Sequence, residues 1–351
     1  MKEVIHEINS WRGQGKPVAI AANVRRDGTS MRPLGSKMAV TDSLDIAGSL
    51  TGGCIENAVY EEAQSVLKSG VPKLLRYGVV NEERPWEIGL ICGSSLEVFV
   101  ESLDSPQWRA IYPALQACLA ERRPVAVATI IAGSGVGNKA LIPMEGERVG
   151  SLGHAALDAE VAAWAKNQLR AGESGSREFE AESVFVDVLL PPPHLIVIGA
   201  VHIAIPLVEL ARTLGFYTIV IDPREALATR ERFSRADELT TDWPAAALET
   251  MSLDDNSYVA VLSHDEKIDN PALKIALSSR ARYVGVLGAK KNVDKRLNVL
   301  REMGATEKEL QRLRAPIGLP LGAVSPEEIA LAILAEIIAA RHERMETLLL
   351  R

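Results

Sequence analysis

Three things are scarce in this 351-residue chain, and each scarcity excludes something. Cysteine is rare: Cys54, Cys92 and Cys118 are the only three, an odd count that does not make a disulfide framework. Long apolar runs are missing. The most apolar stretch, residues 329–340 (IALAILAEIIAA), falls short of the roughly 18 residues a membrane helix needs and carries Glu336. It reads as a buried helix. The N-terminus, MKEVIHEINSWRGQGK, lacks the apolar core of a secretory signal. Positive charge is not in excess either. With 39 Lys and Arg against 46 Asp and Glu, the net charge is -7, which gives no support to nucleic-acid binding. The expectations are no membrane span, no nucleic-acid partner, and a reducing cytoplasm with free thiols.

The chain does have ordinary material for cores, being 47% hydrophobic and 24% charged. A proline run at 191–195 (PPPHL) stiffens one connection and marks a boundary between residues 1–190 and 194–351. The first half repeats itself. KPVAIAANV (16–24) is mirrored by RPVAVATII (123–131). KMAVTDSLDIAGSL (37–50) is mirrored by KALIPMEGERVGSL (139–152) at an offset of 102, and VFVE (98–101) by VFVD (184–187). Helices expected at 54–68 and 155–170 also correspond. The spacing predicts an internal duplication of an α/β segment, with copies at 1–104 and 105–190. The second half alternates short apolar strands (195–200, 217–223, 258–263, 283–287) with helices. That alternation predicts a Rossmann-like, doubly wound parallel sheet. A last helix from Pro326 to about His342 should be capped by Ser325 with Glu328.

The two copies differ where chemistry would sit: TGGC (51–54) becomes GHAA (153–156). Gly52 and Gly53 permit backbone angles closed to other residues. Cys54 is placed at the start of a helix, where free N–H groups and the dipole favour a thiolate or a bound anion. Such a thiolate ligates a soft metal or carries sulfur; the alternative is a small buried hydrophobe. Cys92 precedes a second glycine turn, and Cys118 belongs to the apolar face of a helix. Arg32 and Lys37 flank a glycine-containing loop that suits phosphate or carboxylate, or are simply solvated.

In the second half, Gly199-Ala-Val201-His202-Ile-Ala204 keeps the first glycine and the final small residue of G-x-G-x-x-G/A. Val201 replaces the glycine that lets a pyrophosphate approach, which disfavours NAD(P). Asp222 stands where a ribose-binding acid would lie. His202, His264 and Asp265 come at strand ends that face one edge of the sheet. They are candidates for metal binding or proton transfer, or else they cap helices and satisfy loops.

The stretch SLTGGCIENAVYEEA, with Gly-Gly-Cys followed by a hydrophobic residue and Glu56, resembles the signature of the XdhC/CoxI family of xanthine dehydrogenase accessory proteins. SMRPLGSKMAVT is similar to that family's proline-containing loop and Lys-Met strand. IGAVHIAIPLVELARTLGFYTIVIDPRE, VLSHDEKIDNPAL, YVGVLGAKKN and APIGLPLGAVSPEEIALAILAEI follow in family order. The resemblance implies a maturation chaperone rather than a turnover enzyme. It would bind molybdenum cofactor (molybdopterin) and assist its sulfuration and insertion into a xanthine dehydrogenase-type apo-enzyme. It implies a cysteine desulfurase as partner and self-association, with the apolar last helix available to a homodimer. Cys54 becomes the residue for contact with molybdenum or sulfur, Gly52, Gly53 and Glu56 belong to the same motif, and Cys92 is similar to a second family cysteine. We expect Cys54 to face a crevice between the halves, with His202, Asp222 and His264 opposite. The alternatives are an NAD(P)-dependent oxidoreductase and a non-catalytic docking module.

Overall fold

The computed structural model describes residues 1, 3–28, 32–78 and 95–343, with residue 290 described by its backbone alone. The chain divides into two compact units, Met1–Pro191 and Pro192–Arg351.

The first unit runs through one order of elements twice. The first copy is α1 (Ile5–Gly13), β1 (Val18–Asp27), β2 (Lys37–Thr41), β3 (Ile46–Gly48), α2 (Glu56–Ser69), β4 (Lys73–Tyr77) and β5 (Ser95–Ser102). The second is α3 (Pro106–Ala120), β6 (Val125–Ala132), β7 (Lys139–Pro143), β8 (Val149–Ser151), α4 (Ala155–Ala171), β9 (Gly175–Phe179) and β10 (Glu182–Leu189). Each copy folds its strands into an antiparallel sheet, ordered β3-β2-β1-β5-β4 and β8-β7-β6-β10-β9. The topologies are the same, as the repeated sequence blocks require.

Alternation along β1 explains the layering. Ala19 and Ala21 point to a core shared with Val59, Ala63 and Val66 of α2. Val18 and Ile20 point the other way, into a core that also holds Val125 and Val127 of β6 and Trp108, Ile111 and Leu115 of α3. The two sheets therefore pack against each other, and α2 and α4 cover their outer faces.

Polar atoms tie this inner layer together by exchange. Lys37, first residue of β2, places its ammonium 2.6 Å from Asp187 of β10. Lys139, first residue of β7, places its own 2.6 Å from Glu101 of β5. Each lysine of one copy thus pairs with the acid that follows the VFV run of the other. Reciprocity of this kind is what a two-fold relation between like units produces. All four side chains are buried.

The second unit is a six-stranded parallel sheet. Its elements are β11 (His194–Ile198), α5 (Ala204–Thr213), β12 (Tyr217–Ile221), β13 (Glu238–Thr240), α6 (Pro244–Thr250), β14 (Ser257–Val261), α7 (Glu266–Ser278), β15 (Tyr283–Val286), α8 (Val293–Glu302), α9 (Glu307–Leu310), β16 (Leu313–Arg314) and α10 (Pro326–Arg341). The order β13-β12-β11-β14-β15-β16 is the doubly wound arrangement expected from the sequence. Helices cover both faces, so the inner strands β11, β12, β14 and β15 are largely apolar, unlike the edge strands β13 (ELT) and β16 (LR). Helix α10 starts with the expected capping box of Ser325 and Glu328. One face packs within the unit, where Ile333, Leu334 and Ile337 share a core with Leu207, Val208 and Ala211 of α5, while Leu331 is exposed. No helix among the described residues is long and apolar enough to cross a membrane.

Candidate functional site

The glycine turn is where the two copies part. At the strand offset of 102, Glu56 corresponds to Asp158. Asp158 lies three residues inside α4, which begins at Ala155, whereas Glu56 is the first residue of α2. In the first copy the equivalent of that first turn is unwound into residues 51–55. The helix expected to begin at Cys54 therefore begins two residues later. Gly52 and Gly53 cause the unwinding, with φ of +95° and +123°, a region that side chains other than glycine rarely enter. Cys54, next in line, is exposed and free of disulfide bonding. A Cβ built at Gly52 or Gly53 would meet nothing within 4 Å, so the space above the turn is open.

The loop is braced from inside by Glu56. Its carboxylate accepts backbone N–H bonds from Leu50 (3.0 Å), Thr51 (2.8 Å), Gly52 (3.0 Å), Gly53 (2.9 Å) and Ile55 (3.2 Å). It also accepts the hydroxyls of Ser49 (2.6 Å) and Thr51 (2.8 Å). Partial burial alone would raise the carboxyl pKa. The hydrogen bonds from Ser49, Thr51 and Gly52 outweigh it and hold the group far below the usual range. The amides expected to cradle an external anion are thus already bound to an internal one. Asp158 does the same in the second copy, taking Ser151 Oγ and the Leu152 N–H at 2.7 Å each. The brace belongs to both copies; the displayed thiol belongs to the first.

The other candidates of this unit fall elsewhere. Arg32 is part-buried and ion-paired with Glu3. Lys37 is committed to Asp187 and to the Gly35 carbonyl, 3.0 Å away. Cys118 is core, as expected. Cys92 lies outside the described residues. Sequence reasoning passed over Asp187 and Glu101, although both lysines open repeated strands and both acids follow the repeated VFV run.

In the second unit the parallel strands bring Gly199, His202, Asp222, His264 and Asp265 to one edge. Gly199 has φ +106°, and a Cβ there would stand 2.6 Å from the Ser263 nitrogen. Its glycine is required by the close approach of the chain leaving β14. Val201 is half-buried and packs on the α5 side of the core. Asp222 is fully buried. Its carboxylate takes the Ala200 N–H (2.6 Å), the Arg224 N–H (2.9 Å) and a two-pronged grip from the Arg224 guanidinium (2.8 and 2.7 Å). Burial works against ionisation there, but the bonds from Arg224 and Ala200 prevail and lower the pKa. A ribose hydroxyl would have to compete with that arginine. His202 is exposed. His264 is exposed with φ +62°, an uncommon value for a residue with a side chain. Asp265 caps α7 by accepting the Lys267 N–H at 2.9 Å, which fits the capping alternative. Among the described residues, no group of three or more His, Cys, Asp or Glu side chains could hold a metal ion.

Taken together, these features define a two-unit α/β protein: a duplicated antiparallel unit that displays a thiol on a glycine turn, and a Rossmann unit. The chain belongs to the XdhC and CoxI family. That family's description matches residues 11–78 and 118–180, and the XdhC Rossmann domain matches residues 195–337. The chain is 26% identical over 324 residues to a Bacillus subtilis protein described as a probable xanthine dehydrogenase subunit, covering 92% of each. It is 26% identical over 335 residues to the molybdenum cofactor insertion chaperone PaoD of Escherichia coli, covering 95% of this chain and 86% of that one. A solved structure described as a xanthine dehydrogenase from Bacillus halodurans superposes with a TM-score of 0.79 at 27% identity, covering 97% of this chain and 96% of that one.

Proposed function

We propose that this chain is a maturation chaperone for a xanthine dehydrogenase-type molybdoenzyme. Molybdenum cofactor is its cargo, and it assists sulfuration and insertion of that cargo into the apo-enzyme. The observation that carries the reading is the Cys54 thiol, held in open space by two positive-φ glycines and braced by Glu56. The similarity to PaoD supports it from outside.

The residues suit the cargo's chemistry at one end. Molybdenum bound by sulfur is a soft centre, for which thiolate is a better partner than carboxylate. The loop amides are occupied by Glu56, so the cofactor's phosphate is not assigned to this turn. A cysteine desulfurase is the proposed source of sulfur and a second copy of this chain a proposed partner. A reducing cytoplasm is the setting in which an exposed thiol stays available. NAD(P)-dependent oxidoreduction is disfavoured by Val201 and by the Arg224 grip on Asp222.

The test is replacement of Cys54 by Ser in a strain that depends on this chain for an active molybdoenzyme. The expected outcome is a normally folded variant and a client enzyme with at least tenfold less activity. Full client activity with C54S would remove the thiol from the mechanism.

A further inference from the structure

One hollow of the second unit lies away from the Gly199 turn. A cavity of about 370 Å³ opens beyond the carboxyl ends of β14 and β15. Of the residues singled out in the sequence, only His264 lines it. Its walls are partly apolar, with Val286, Leu287 and Pro316, and partly polar, with Asn270, Asn292 and Arg296. This volume lies in the range of small-molecule sites, and ligands of open parallel sheets gather at this edge.

Arg296, from α8, is the group that gives the cavity its chemistry. Its guanidinium is held through one amino group only. Nη1 lies 3.3 Å from Asp269 Oδ2 and 3.3 Å from Asn270 Oδ1. Asp269 is itself buried and anchored by Ser263 Oγ at 2.6 Å, so the arginine is fixed from behind. The Nε and Nη2 donors make no hydrogen bond to the described residues. That free edge is the two-donor fork that matches two oxygens of an oxyanion. Two more donors lie in the strand-end loop. Neither Gly288 nor Ala289 gives its N–H to an acceptor among the described residues, and both line the cavity. A Cβ at Gly288 would meet nothing within 4 Å, so the space beside that residue is open. The nearby acids do not cancel these donors. Asp269 is turned to Ser263 and Arg296, and Glu266 is paired with Lys295 at 2.8 Å.

We propose that this cavity binds a small phosphorylated ligand with a flat ring. The phosphate lies between the free edge of Arg296 and the amides of Gly288 and Ala289, and the ring lies on Val286, Leu287 and Pro316. A guanidinium fork plus two amides offers four donors, which suits the oxygens of a phosphate better than the two of a carboxylate. The site is independent of any role for Cys54.

Calorimetric titration of the full chain with AMP, GMP, CMP and flavin mononucleotide tests the proposal. Adenosine, riboflavin, benzoate and inorganic phosphate serve as the separating probes. At least one of the four phosphorylated ligands is expected to bind tenfold or more tighter than its phosphate-free counterpart and than benzoate. R296Q should abolish that advantage while riboflavin or adenosine binding stays the same. Amide hydrogen exchange over residues 287–292 should slow on binding in the unaltered chain, a readout that needs no variant. The proposal is overturned if none of the four binds, if removing the phosphate changes nothing, or if benzoate binds as well. It is also overturned if binding leaves exchange at 287–292 unaltered.

Discussion

Glu56 and Cys54 stand two positions apart and do opposite things. One is turned inward onto five backbone amides; the other is left outside. The glycine turn at a helix start pointed to Cys54, whereas Glu56 came only with the resemblance to the XdhC/CoxI signature. What it did not reveal is that the acid occupies the anion site of its own turn. Side-chain direction decides that, and spacing does not encode it. Glu56→Gln keeps the shape and removes the charge that strengthens those bonds, so it should lower stability by about 1–2 kcal/mol at neutral pH. The pH dependence has a definite sign. A carboxyl whose pKa is lowered by folding stabilises the fold wherever it is ionised. The contribution is full above the unfolded-state pKa of about 4.3 and declines as pH falls below it toward the lowered folded-state value. The stability gap between the unaltered chain and E56Q, measured by urea unfolding, should therefore be constant from pH 7 to 6 and narrow below pH 4. A gap that widens with acid would contradict the brace.

At the scale of elements, the duplication was readable because strands carry it in a period-two code that survives divergence. KMAVT and KALIP keep the same lysine, and VFVE and VFVD keep an acid at the same place. The crossed pairing of those charges was not readable, since it depends on how one sheet faces the other. Strand β9 also escaped notice. Its sequence, GSREF, lies mostly outside the core and has no apolar alternation. The pairs themselves make a prediction. Lys37→Met strands the Asp187 carboxylate in a buried layer and should cost about 3–5 kcal/mol. Adding Asp187→Leu to it should recover much of that loss in urea unfolding. If the double variant is no more stable than K37M, the pair is not coupled in the way described. In the second unit, the Rossmann order followed from alternating apolar strands and helices. Gly199, expected in a phosphate turn, also lies at a close chain crossing. Gly199→Ala drives a methyl to 2.6 Å from Ser263 and should cost more than about 2 kcal/mol, visible as a lower melting temperature. An unchanged melting temperature would show that the crossing tolerates a side chain.

For the molecule as a whole, the family was legible because its blocks recur in order along most of the chain. The purpose of each half was less so. Val201 and the Arg224 grip on Asp222 stand against ordinary dinucleotide binding in our reading of the Gly199 turn, while Arg296 and the β15 loop offer donors some residues further along the same edge. Of the two copies in the first unit, only one unwinds the start of its helix and puts sulfur there. We take this asymmetry to be the working part of the molecule. It is probed most directly by the cargo on the protein itself. The chain and its C54S variant are purified without oxygen from cells that make molybdenum cofactor, and molybdenum and oxidised-pterin fluorescence are measured per chain. Both should be present on the unaltered protein and at least tenfold lower on a C54S protein of equal melting temperature; equal loading of the two would contradict a working role for the thiol.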